Sequence, residues 1–100
     1  MQVDVPGFGP VRKATTFRAR WRGLRGSDPG DSIVIPGSSV HGFGMDRPLR
    51  VVALTRDFAV MRSAVLRPNR LMWVRGARWM IELPVDTPAP APGTRLATDG

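Results

Sequence analysis

Leu49-Arg50-Val51-Val52-Ala53-Leu54, then Thr55-Arg56-Asp57-Phe58, then Ala59-Val60-Met61-Arg62-Ser63-Ala64-Val65-Leu66 is the stretch whose reading decides the fold. Both outer runs have strand length and are rich in aliphatic and β-branched residues. The Thr-Arg-Asp-Phe link between them is short enough for a hairpin. An antiparallel pair at the centre of so short a chain predicts a β-rich domain.

Working outward, Ser32-Ile33-Val34-Ile35 reads as a short strand stopped by Pro36-Gly37. Val40 to Met45 reads as another, with His41, Phe43 and Met45 on one face and Val40, Gly42 and Gly44 on the other. Downstream, Arg67-Pro68-Asn69-Arg70 breaks the chain, and Leu71 to Val74 and Ala77 to Leu83 supply the last strands. A lone Glu82 is embedded in the apolar run of the second. Towards the start, Phe17, Trp21 and Leu24 recur at i, i+4 and i+7, with Arg18, Arg22 and Arg25 in the same spacing on an adjoining face. That pattern predicts a helix of two to three turns, capped by Thr15 or Thr16 and ended at Gly26. Residues 1 to 13 read as a mobile arm or a short edge strand around Val3 and Val5. From Pro84 onwards, Pro88, Pro90 and Pro92 favour an extended polyproline conformation, and Leu96 alone is suited to dock back on the core. The expected layout is an arm at 1–13, a β-rich core domain at 14–84 and a Pro/Ala-rich segment at 85–100.

One hundred residues, 42% of them hydrophobic, suffice for one modest core, and 11 Gly with 10 Pro imply many turns. The absence of Cys excludes a disulfide scaffold, a thiolate zinc site and a cysteine nucleophile. One His leaves little for metal binding, so neither metal nor cofactor is expected. The first residues carry an acid and a proline where a secretory signal needs positive charge and an apolar run, and no segment has membrane-spanning length. A cytoplasmic protein is the expectation. The net charge of +7 comes almost wholly from Arg, Lys13 being the only lysine, and such a surface attracts polyanions.

Four segments in order, Ala14-Thr-Thr-Phe-Arg-Ala-Arg-Trp-Arg-Gly-Leu-Arg-Gly26, Ser39-Val-His-Gly-Phe-Gly-Met45, Pro48-Leu-Arg-Val-Val-Ala-Leu54 and Gly76-Ala-Arg-Trp-Met-Ile-Glu-Leu-Pro84, resemble the successive motifs of the domain of unknown function family 192. The resemblance implies a mainly β (α+β) domain, a compact β-sandwich or jelly-roll-like barrel with one short N-terminal helix, and it implies no reaction. The chain also departs from the family. Arg50 and Thr55 stand where the family usually has acids, so a metal or base role of those carboxylates in relatives is lost here. Phe58 replaces a customary turn Gly, which argues for a loop longer than a two-residue turn needing φ > 0. Asp86 replaces another Gly, and the helix expected after it is shortened to the Pro-Ala segment.

His41 and Glu82 are the only His-carboxylate pair on motif-matching strands, and contact between those strands would make an acid/base pair titrating near neutrality. The preferred reading is structural: a half-buried His41 held by a backbone carbonyl, and Glu82 paired with Arg78 or the helix arginines. Ser38 would point to the opposite face from His41, while Ser39 on the same face would lie about 6–7 Å away between Cα atoms. Arg18, Arg22, Arg25 and His41 are the candidate ligand-binding residues, since Arg12 to Arg25 lie in a stretch free of acids. Trp21 reads as core rather than as a stacking platform, and Trp73 and Trp79 as packing residues. The expected core comprises Phe17, Trp21, Leu24, Val34, Phe43, Val52, Leu54, Val60, Trp79, Ile81 and Leu83.

The function read from these features is a non-catalytic binding or interaction module whose basic surface takes an anionic ligand or partner protein. An enzyme acting through His41 and Glu82 and a weak, nonspecific nucleic-acid binder are the alternatives.

Overall fold

The structure, a computed structural model, describes residues 1–13, 32–42 and 46–99. Nine strands follow one another along these residues: β1 (Gln2–Val5), β2 (Gly9–Lys13), β3 (Ile33–Pro36), β4 (Ser39–His41), β5 (Leu49–Leu54), β6 (Val60–Leu66), β7 (Leu71–Trp73), β8 (Trp79–Pro84) and β9 (Thr98–Asp99). The expected hairpin is β5 with β6, running from Leu49 opposite Leu66 to Leu54 opposite Val60, with a one-residue shift after Ala53. β8 pairs with the other side of β5, and the sheet continues in the order β6-β5-β8-β3-β2-β1-β9. β2 and β3 are parallel, joined by a connection long enough for the crossover such a pair needs. β4 and β7 form a separate two-stranded ribbon.

The seven-stranded sheet is curled. Val60 of β6 and Val3 of β1, near opposite ends of the strand order, share one buried cluster with Val5, Val11, Val34, Val52, Leu54, Ile81, Leu83 and Leu96. A flat sheet would hold them several strand widths apart, at just under 5 Å per strand. The architecture is therefore a mainly β half-barrel. Alternation along the strands sends Met80, Val51, Ala53 and Ile35 to the outer face, where Val40 and Met72 of the ribbon cover them. Being buried on both faces explains why β5 and β8 read as nearly continuous apolar runs.

Of the two readings of residues 1–13, the strand around Val3 and Val5 is the one seen: β1 and β2 belong to the sheet. Asp4 faces out while Val3, Val5 and Val11 are buried, and the Phe8 amide closes the turn onto the Val5 carbonyl at 3.0 Å, with Gly7 at φ 80°. Period-2 burial was hidden there by the Pro and Gly of the turn.

At the other end, Leu96 docks in the inner cluster as expected. The segment around it spans the opening of the half-barrel. Gly93 N–H donates to Val60 C=O (2.8 Å), Val60 N–H to Thr94 C=O (2.8 Å) and Leu96 N–H to Phe58 C=O (2.9 Å), while Asp4 N–H reaches Ala97 C=O (2.8 Å). One strap thus ties the β6 edge to β1.

Of the expected core, Val34, Val52, Leu54, Val60, Ile81 and Leu83 are buried and Trp79 is half-buried against the inner cluster. Phe17, Trp21, Leu24 and Phe43 lie outside the described residues, as does the helix expected over Thr15 to Gly26; the described residues contain no helix.

Candidate functional site

The hairpin loop departs from expectation in an instructive way. It is longer than two residues, yet it keeps the left-handed position: Phe58 has φ 65°, conformationally costly for a bulky side chain. Phe58 N–H donates to Thr55 C=O at 3.0 Å and Thr55 N–H to Ala59 C=O at 2.9 Å, so the turn is fully closed. Thr55 Oγ1 accepts from the amides of Ala59 (3.1 Å) and Asp57 (3.3 Å). A hydroxyl here does for the turn what a carboxylate would do, by accepting backbone amides. Arg50 sits on β5 opposite Val65 and Leu83. Its Nε and the Oγ of Ser63 are shielded from solvent and have no hydrogen-bond partner among the described residues.

His41 and Glu82 belong to different sheets. His41 is half-buried on β4, opposite Leu71 of β7, while Glu82 is 1% exposed on β8 between Ile33 and Val51. Val40 turns into the outer cluster, so alternation directs His41 to the opposite side of the ribbon; Glu82, two residues from Met80, lies on the sheet face that the ribbon covers. Arg18, Arg22 and Arg25 lie outside the described residues.

What the fold does assemble is a groove between β6 and β7. It has a volume of ≈ 330 Å³ and is lined by Arg62, Arg67 and Arg70 together with Leu71 and Trp73. Arg62 shares the outer face of β6 with Ala64 and Leu66, and the ribbon packs beside them through Met72. Arg67 and Arg70 stand at the two ends of the Pro68-Asn69 turn, closed by Arg70 N–H to Arg67 C=O (3.2 Å) with Asn69 at φ 61°. Asn tolerates that conformation after Pro. The turn is pinned to the end of β4 by Asn69 N–H to Gly42 C=O (2.9 Å) and Gly42 N–H to Arg70 C=O (2.8 Å). Among the described residues no ion pair holds Arg62, Arg67 or Arg70.

Trp73 is 62% exposed and Leu71 66%, so the expectation that Trp73 is a packing residue is corrected. β7 buries Met72, while Leu71 and Trp73 on either side of it alternate to the opposite face. Sequence reading missed this groove because its arginines come from a strand and from a turn that looked like a mere chain break. The one available signal was two exposed-length apolar residues flanking Met72 on so short a strand.

No group of three or more His, Cys, Asp or Glu among the described residues is placed to hold a metal ion. No helix among them is long and apolar enough to cross a membrane. No family model matches the chain, and neither a curated protein nor a solved structure matches it.

Proposed function

We propose that this domain is a non-catalytic binding module that takes an anionic ligand in the groove between β6 and β7. The observation that carries this reading is the convergence of Arg62, Arg67 and Arg70 on one depression with no carboxylate pairing them among the described residues. Guanidinium groups in that position are available to phosphate, sulfate or carboxylate, and their planar forks suit bidentate recognition. The overall charge of +7 adds long-range attraction for the same class of partner. Kinship with the domain of unknown function family 192 belongs to the same proposal and is supported by the four ordered motifs; a cytoplasmic location is the matching expectation.

The test is binding to heparin as a generic polyanion. The wild-type chain is retained at low salt and released as salt rises, because displaced counterions oppose binding. Replacing Arg62, Arg67 and Arg70 together by Gln abolishes retention while the fold is kept. Retention unchanged in the triple variant removes the groove as the site.

A further inference from the structure

We infer that the anion taken by this groove is single-stranded nucleic acid, with the indole of Trp73 as the platform on which a base stacks. The inference rests on the binding-module reading and narrows it to one ligand class.

Three arginines alone would serve any polyanion. Beside them, however, the groove exposes two large apolar side chains, Leu71 and Trp73, which nothing among the described residues covers. An acidic peptide or a sulfated polysaccharide engages the guanidinium groups through its charges but does not carry a flat π-face on each charged unit. A nucleotide engages both the guanidinium groups and the indole, since it carries a phosphate and a flat π-face on one unit, and base–aromatic stacking is tolerant of sequence.

The ribbon adds to the same surface. Ser39 is in register with Trp73 and His41 with Leu71, so the half-buried His41, on the face opposite Val40, is a diagonal neighbour of Trp73. A sheet face bearing rings and flanked by arginines is a physical solution for single strands, whose bases are free to splay out. A duplex keeps its base faces stacked inside the helix, so it offers the indole no free π-face to stack on. The pinned Pro68-Asn69 turn holds Arg67 and Arg70 in place beforehand, which reduces the ordering cost of binding.

The experiment uses the full 100-residue chain, as wild type, Trp73→Ala and the Arg62/Arg67/Arg70→Gln triple variant, with circular dichroism to verify folding; Trp73→Ala alters an exposed side chain and leaves the core intact. The probes are oligo-dT, oligo-U, a DNA duplex of equal length, heparin and polyglutamate, followed by fluorescence anisotropy or salt elution. The inference expects oligo-dT or oligo-U to bind more tightly than the duplex and polyglutamate, Trp73→Ala to lower single-strand affinity on the order of tenfold while sparing heparin retention, and the triple variant to lose both. Heparin retention without single-strand binding, or single-strand affinity unaffected by Trp73→Ala, overturns this inference and leaves the binding module standing. Preference for duplex or for polyglutamate also overturns it. Failure to bind either heparin or oligonucleotide removes both readings.

Discussion

Phe58 stacks on Trp79, with ring centroids 5.4 Å apart and planes inclined by 15°. Lys13 places its ammonium 5.2 Å from the same indole, so a hairpin loop, β8 and β2 meet in one column. The stack explains how Phe58 persists at φ 65°: its ring is partly buried against the inner cluster, and its carbonyl accepts from Leu96. Aromatic pairing is worth about 0.5–1.5 kcal/mol beyond burial, comparable to the 1–2 kcal/mol or so that a left-handed conformation costs.

Replacing Phe58 therefore separates strain from stacking. Phe58→Ala loses the ring and keeps the strain, whereas Phe58→Gly loses the ring and relieves it. The Gly variant is expected to be the more stable of the two by about 1 kcal/mol in urea unfolding. Equal stabilities would show that the loop changes conformation once the ring is gone.

Thr55 is expected to matter through its hydroxyl. Thr55→Val keeps shape and loses the acceptor for the Ala59 and Asp57 amides, costing about 1 kcal/mol. Thr55→Asp keeps an acceptor and should cost less than Val. Denaturant midpoints of the two variants check the order.

Among the described residues the buried hydroxyl of Ser63 has no hydrogen-bond partner. Ser63→Ala removes a desolvated polar atom and loses no hydrogen bond, so stability should rise by about 1 kcal/mol. A destabilised alanine variant would mean that the hydroxyl is satisfied in solution.

Leu96 closes the inner cluster from a tail whose composition suggests little structure. Leu96→Ala is expected to cost about 2–5 kcal/mol, the range for deleting a buried leucine side chain. Removing residues 93–100 should cost at least as much, because it also frees the amides and carbonyls of Phe58, Val60 and Asp4. A truncated chain as stable as the whole would show that the strap contributes nothing.

The separate placement of His41 and Glu82 has its own consequence. In a double-mutant cycle of His41→Gln and Glu82→Gln, the stability effects should add to within about 0.5 kcal/mol, as expected for residues on different sheets whose side chains are directed to different faces. A coupling energy well above that would mean the two groups interact across the ribbon.

Much of the half-barrel was legible locally. The β5–β6 hairpin, the strands around Val34 and Ile81 and the docking of Leu96 all follow from strand composition, period-2 burial and turn residues, each readable within a few positions. β1 and β2 were harder, because Pro6, Gly7, Gly9 and Pro10 break up the alternation of Val3, Val5 and Val11.

The sequence by itself determined a small, strongly basic β domain without cysteine and with a central hairpin, since charge, composition and short-range periodicity need no knowledge of which strands pair. Only the tertiary structure decided that the sheet curls until Val3 and Val60 share a cluster, that His41 and Glu82 sit on different sheets, and that Arg62, Arg67, Arg70 and Trp73 line one groove. Those relationships depend on long-range register and on which face the ribbon covers, and a slip of one residue would turn each of these side chains to the other side.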